Sequence, residues 1–318
     1  MKVGALLPWS PKRGVILGLA LALAAAPLWA DQSNSGVGSQ AASFLTLASD
    51  ARSSAMGQAG TALQAGAQSL GLNPAGLAGL QGQQLSLSHN VLPLGATLES
   101  AEYGLGLGRS TLGLDANYVN LGTLEKSTVD ASGNIVSAGT VMPYGYDVGL
   151  AWGLQLLDPL ALGVLVKAVG EDIGGTHDST VAGDLGLLYR TPWKPLSLGL
   201  ALQNLGGTIF GSALPLQTRA GLSYSNITAA GGLSLSLDAI VPSAAASQSV
   251  YAAGLEWVVV RYMRLRAGYQ LADQSGIDGT TGLSLGAGFS NHGWEVDYAW
   301  VPRGDLGSDN QFSFSSQF

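Results

Sequence analysis

Cysteine is absent from the 318 residues, and charge is scarce at 11% Asp, Glu, Lys and Arg. An ordinary soluble domain carries roughly 25% charge. Without cysteine there is no disulfide framework, no thiolate zinc site and no cysteine nucleophile. Histidine occurs only at His89, His177 and His292, with no HExxH spacing. His177 and His292 fall in predicted connections, where a solvated loop histidine is the plain expectation. Aromatic residues make up only 7%, although apolar residues reach 47%. Such a chain is too apolar and too uncharged to be disordered. Its 46 glycines lack the three-residue period of collagen.

Long apolar runs are missing too, apart from the first thirty residues. There Lys2, Lys12 and Arg13 precede an apolar run over 14–26, and Leu28-Trp29-Ala30 resembles a cleavage site. Residues 1–30 therefore read as a secretory signal peptide, the run being too short for a membrane helix. The remainder holds eleven basic and twenty-one acidic residues, a net charge of −10. A polyanion such as nucleic acid is excluded as a partner by that sign.

What the chain does have is alternation. Val148, Leu150, Trp152, Leu154 and Leu156 alternate with Asp147, Gly149, Ala151, Gly153 and Gln155. Leu233, Leu235 and Leu237 alternate with Ser234, Ser236 and Asp238; Trp294, Val296, Tyr298 and Trp300 alternate with Glu295, Asp297 and Ala299. A soluble sandwich would put its large residues inside and its charges outside. Here the second face is mostly Gly, Ala and Ser. Large residues outward to lipid and small or polar ones inward is the pattern of a transmembrane barrel. Fourteen such segments can be placed, at 83–91, 100–109, 112–121, 145–156, 160–171, 179–190, 196–205, 216–225, 232–241, 250–260, 263–271, 281–290, 293–302 and 310–318. Most have the 9–11 residues that a tilted strand needs. Gaps after the second, fourth, tenth and twelfth segments are very short. Those after the third, fifth, seventh, ninth, eleventh and thirteenth are longer. That assigns the short turns, and both termini of the barrel chain, to the periplasmic side. The fold class is thus all-β, a 14-stranded antiparallel transmembrane barrel over 83–318.

Residues 31–82 lack strand alternation. They are rich in Ala, Gly, Ser and Gln, with helical potential over 51–70 and a turn at Asn73-Pro74-Ala75-Gly76-Leu77. They read as a hatch or plug in the lumen. Pro74 holds Asn73 out of the α region. Its amide can then bond back to the local backbone or across to a lumen carboxylate. Asn73, Pro74 and Ala75 are the candidate hatch turn, with Asn73 as its polar anchor.

The inward parity collects Glu102, Asp115, Asp147, Lys167, Asp184, Asp238, Glu256, Arg266, Glu295 and Asp297. One reading is a mutually paired lumen that anchors the hatch. The sharper reading is a binding lining, with Lys167 and Arg266 able to meet a substrate carboxylate. Gly282-Leu283-Ser284-Leu285-Gly286 matches the hydrolase nucleophile pattern but sits inside an alternating strand, without the helix that motif requires. No enzyme, metal or cofactor is implied. Outward aromatics (Tyr103, Trp152, Tyr189, Trp257, Tyr269, Trp294, Trp300) suit interface girdles.

The run Ala42-Ser43-Phe44-Leu45, then Ala51-Arg52-Ser53-Ser54-Ala55-Met56-Gly57-Gln58-Ala59 and the 73–77 turn, resembles the start of the PorV/PorQ family. That family is similar to the FadL-like fatty acid transporters of the bacterial outer membrane. The resemblance continues through Lys167, Asp184-Leu185-Gly186-Leu187-Leu188-Tyr189, Gln203-Asn204-Leu205-Gly206, Leu265-Arg266-Ala267-Gly268-Tyr269 and Phe318. It implies an outer-membrane barrel with a luminal hatch, contact with membrane lipid, and passage of a hydrophobic small molecule such as a long-chain fatty acid. The alternative it implies is a structural or shuttle role beside the proteins of type IX secretion. It also implies that the barrel-assembly machinery recognises Phe318, with Phe312 and Phe314 on the same face, as an assembly signal.

Overall fold

The computed structural model describes residues 40–63, 65–193, 195–228, 231–243, 248–272 and 279–318. The expected signal peptide and residues 31–39 lie outside these described residues. Fourteen antiparallel strands form one closed barrel in which each strand pairs with its chain neighbours and the last pairs with the first. They are β1 (Gln83–Val91), β2 (Thr97–Leu107), β3 (Ser110–Asn120), β4 (Tyr144–Leu157), β5 (Leu160–Asp172), β6 (His177–Arg190), β7 (Leu196–Gly206), β8 (Gln217–Thr228), β9 (Gly231–Pro242), β10 (Val250–Val260), β11 (Met263–Leu271), β12 (Leu283–Asn291), β13 (Trp294–Pro302) and β14 (Ser308–Gln317). No predicted boundary misses by more than three residues.

Closure leaves no strand edge unpaired, so the ladder bonds of every strand are made within the ring. Along β4 the alternation becomes geometry. Asp147, Gly149 and Ala151 are buried, while Val148, Leu150 and Trp152 are exposed. The exposed parity carries leucine, valine and aromatic residues around the ring, whereas the buried parity carries the polar and charged ones. That inversion of a soluble protein's pattern is the signature of a barrel with lipid outside. Aromatic pairs mark both ends of the apolar belt. Tyr118 stacks on Tyr144 at the loop end, and Phe289 packs on Trp294 at the turn end.

Turn chemistry sorts the two ends. Residues 108–109, 158–159, 261–262 and 292–293 are two-residue connections, all on one side of the membrane. At the last of these, His292 (φ 45°) and Gly293 (φ 89°) both have positive φ, which fits the twist of a tight hairpin. The opposite side carries the longer loops. The longest, 121–143, folds into its own hairpin, Leu124–Val129 with Ile135–Val141. One expectation needs correction. The connection after β5 is four residues, 173–176, longer than the two-residue turns, but His177 is the first residue of β6 rather than a loop residue. Here β5 and β6 extend further than alternation alone indicated. Glu171 and Asp172 still join the ladder, opposite Asp178 and His177.

Residues 40–82 fill the lumen. Ser43–Thr46 is a 3-10 turn, α1 (Ala51–Ala55) is a short helix, and 3-10 turns follow at Ala67–Ser69 and Pro74–Leu77. The helical potential over 51–70 is therefore realised only in its first five residues. Gly57, Gly60 and Gly66 interrupt it, Gly57 and Gly66 at positive φ. Asp50 caps α1, accepting from the Ser53 N–H at 2.9 Å. Burial raises the Asp50 carboxyl above the ordinary carboxylate range, although the Ser53 hydrogen bonds oppose this.

Candidate functional site: the filled lumen

Glycines on the inward parity decide where residues 40–82 can lie. A Cβ on Gly163 would stand 2.1 Å from the Pro74 carbonyl carbon, and one on Gly186 would stand 2.2 Å from Asn73 Oδ1. A Cβ on Gly268 would stand 2.1 Å from the Gly57 nitrogen. No side chain fits at such distances, so the strand backbone itself is the seat for the Asn73–Leu77 turn and for the end of α1.

Asn73, Pro74 and Ala75 are fully buried. Asn73 Oδ1 accepts from the Ala75 N–H at 3.1 Å. Its Nδ2 donates to the carbonyls of Thr61, at 2.8 Å, and Leu187 of β6, at 3.1 Å. The side chain thus joins two parts of the luminal segment to the wall. Its partners are backbone groups and not a carboxylate.

The charged inward residues fall into three groups. The first is centred on Arg266 of β11. Its guanidinium donates to Glu256 at 2.7 Å, to Glu295 at 2.8 Å and to Asp297. Glu256 also receives both nitrogens of a bidentate Arg52, at 2.8 and 2.9 Å. The second joins β8 and β9 to the lumen segment. Asp238 accepts from the N–H groups of Gly60 and Thr61, at 3.2 and 3.0 Å, and from the Thr61 hydroxyl at 2.5 Å. Arg219 reaches Asp238 at 3.4 Å and the Gln58 carbonyl at 2.5 Å. The third lies toward the loops. Lys167 donates to Asp184 at 3.0 Å, and Asn117 donates to Asp115 and Asp147. Glu102 lies directly opposite Asp115 across the β2–β3 ladder and accepts from Ser49 at 2.5 Å.

Lys167 and Arg266, named from sequence as partners for a substrate carboxylate, are both held by the protein's own carboxylates. Arg52 and Arg219 were missed. Arg219 shares the inward parity of Gln217 and Ser223, so the signal was present. Arg52 lies where no period exists to find it. Ser284 is inward on β12 and donates to the Ala55 carbonyl at 3.0 Å, an anchoring bond within a strand. His89 faces outward and pairs with Glu99 of β2 at 2.6 Å.

Phe312, Phe314 and Phe318 are all exposed on the outer face. Phe318 lies one residue beyond β14 and exchanges backbone hydrogen bonds with Gln83, at 2.7 and 2.9 Å, at the seam of the barrel.

On the turn side the luminal segment leaves two open cavities. One, of about 270 Å³, is lined by Arg264, His292, Glu295 and Gln317 among others; the second, of about 300 Å³, lies beside Gly79 and Arg190. On the loop side Phe44 closes the lumen with Leu98, Val119 and Val169.

Together these features define a class: a membrane-spanning β-barrel whose lumen is stoppered by its own N-terminal segment. Solved structures share that fold. The toluene transporter TbuX of Ralstonia pickettii is 17% identical, over 85% of this chain and 98% of that one, with a TM-score of 0.61. The toluene transporter TodX of Pseudomonas putida is 15% identical over the same shares, with a TM-score of 0.61. A FadL homologue of Pseudomonas aeruginosa is 12% identical, again over 85% and 98%, with a TM-score of 0.51. No family model and no curated protein matches the sequence. The FadL-like fold expected from the sequence is the fold observed. The narrower PorV/PorQ name gains no support from these comparisons.

Proposed function

We propose that the protein is a bacterial outer-membrane channel of FadL type, carrying hydrophobic small molecules across that membrane. The observation that carries this reading is the stoppered lumen itself. The luminal segment holds to the wall through polar contacts, glycine seats and small apolar clusters such as Leu70 and Leu77 on Ala151 and Leu165, contacts that can part and re-form. A structural barrel would gain nothing from such a stopper. The neighbours named as toluene transporters and as a FadL homologue supply the substrate class. Transport, not catalysis, is the activity in this reading.

A substrate would gather at the apolar loops, pass Phe44, and reach the turn-side cavities when the hatch shifts. The Arg52–Glu256 contact is the natural place for that shift to begin. Glu256 keeps its bond to Arg266 when Arg52 leaves, so no buried carboxylate is stranded. The Asn73 and Asp238 contacts hold the rest of the segment. Membrane lipid and, during biogenesis, the barrel-assembly machinery are the partners of this reading. The secretion role implied by the PorV/PorQ resemblance rests on that resemblance alone.

The test is uptake. Gram-negative cells without a channel of their own for such molecules would be made to produce the protein. Accumulation of labelled toluene and of labelled oleate would then be followed. Faster uptake of at least one is expected. Rates equal to the empty vector for both would overturn the reading.

A further inference from the structure

Among the described residues, every inward cation but one is paired. Arg52, Lys167, Arg219, Arg264 and Arg266 each meet a carboxylate. Arg190, the last residue of β6, shares the inward parity of Asp184 and Gly186. No described carboxylate lies within ion-pair distance of it. Its one hydrogen bond to a described residue runs to a neutral group, from Nη1 to Gln155 Oε1 of β4 at 2.9 Å. Gln155 is itself fixed, its Nε2 donating to the carbonyls of Leu157 at 2.6 Å and Leu160 at 3.2 Å. The Arg190 guanidinium is therefore held in place without being neutralised.

Arg190 faces the turn-side cavity of about 300 Å³, whose other wall is the end of the luminal segment. No described Asp or Glu lines this cavity. Its lining offers donors instead. Gly79 and Gln81 line it too, and their N–H groups have no acceptor among the described residues. Gly79 also lies near the amide that holds Arg190, since a Cβ on it would stand 3.5 Å from Gln155 Oε1. A cation of the wall and free donors of the hatch thus border one space. A guanidinium fork beside backbone N–H groups suits an oxyanion. An amine would meet a like charge there, and a hydrocarbon would leave the guanidinium unpaired.

We propose that this cavity binds a small oxyanion, a carboxylate or phosphate group, which bridges Arg190 of the wall to the hatch backbone at 79–81 and so holds the hatch closed. The site goes beyond the transport reading and does not depend on it, because its test involves no uptake.

The purified full-length barrel is kept in a nonionic detergent at neutral pH and fixed ionic strength. Phosphate, octanoate and uncharged octanamide are titrated calorimetrically. Amide hydrogen exchange over residues 76–82 is then followed by mass spectrometry. A ligand that binds only the docked hatch stabilises it by a factor of 1 plus the ratio of ligand concentration to dissociation constant. At ten times its dissociation constant, at least one anion should slow the exchange about tenfold. Octanamide should leave it unchanged. Protection by octanoate alone supports the site with the head group of an amphiphile as its occupant. Protection by phosphate, with or without octanoate, supports it with a free ion. Arg190→Gln should abolish the protection. Arg261→Gln, which removes a cation from the neighbouring cavity, should keep it. Heat-dependent gel mobility reports whether each variant forms a barrel. Should Arg190→Gln not fold, the wild-type ranking of the three probes decides alone. Exchange unchanged by both anions would overturn the proposal, as would octanamide protecting as well as the anions. Protection that survives Arg190→Gln, or that is lost equally with Arg261→Gln, would also overturn it.

Discussion

Arg52 of the luminal segment and Glu256 of β10 meet through two hydrogen bonds, at 2.8 and 2.9 Å, and Glu256 is shared with Arg266 of β11. One carboxylate thus serves a cation that can leave and a cation fixed in the wall.

Arg52→Ala should loosen the hatch without weakening the barrel. The variant loses charge-assisted bonds worth roughly 1–3 kcal/mol, and Arg266 keeps Glu256 paired. Protease cleavage around residues 48–58 should quicken several-fold, while heat-dependent gel mobility stays unchanged. Arg266→Gln should act oppositely. It strands Asp297 and leaves Glu256 to Arg52 alone, and should cost roughly 3–5 kcal/mol of barrel stability, read as lost folded yield.

Gly163→Ala tests the glycine seat. Its new methyl would stand 2.1 Å from Pro74, so the 73–77 turn has to move. Cleavage around residues 70–80 should then appear in folded protein. Gly183→Ala is the control, since the nearest atom to its Cβ is 3.5 Å away. Equal resistance in both variants would mean that the turn does not depend on this seat.

Asn73→Ala removes two donor bonds and the cap of the Pro74–Leu77 turn, at a cost of about 1–3 kcal/mol in hatch docking. Barrel yield should hold while uptake of a hydrophobic substrate rises. An unchanged uptake rate would show that Asn73 has no part in gating.

Leu150→Arg probes the outer face. Leu150 is 69% exposed near the middle of β4. If that face meets lipid, a cation there should cost roughly 2–4 kcal/mol in denaturant titrations in vesicles. A cost near zero would contradict a lipid-facing surface.

Phe318→Ala should lower outer-membrane yield more than Phe312→Leu does, if the final aromatic is what the assembly machinery reads. Quantitative blots of membrane fractions give the comparison. Equal yields would reduce Phe318 to its pairing with Gln83.

The barrel was legible in the sequence because lipid and lumen impose opposite chemistry on successive residues. Val148 and Asp147 differ in kind for that reason, and a period of two survives along most of the barrel wall. The inward carboxylates were legible by the same parity. The hatch was not, beyond its existence and its turn. Its path is set by gaps at Gly163, Gly186 and Gly268, on strands far apart in sequence, and no local pattern ties them to Pro74 or Gly57. Arg52 likewise acquires meaning only from Glu256, 204 residues away. The ion-pair partners of Lys167 and Arg266 needed three dimensions as well, because parity places a charge inside without saying what it meets.

The seam between β1 and β14 sets an order of events. Gln83 pairs with Phe318 where the ring closes, and the chain before Gln83 runs directly into the lumen. Packing this segment against glycines on opposite walls is simplest while the strands are still an open, curling sheet. The last ladder to form is then the one with the greatest separation along the chain. Luminal packing is in this sense a step of construction, and an error in it is sealed in when the two outermost strands join.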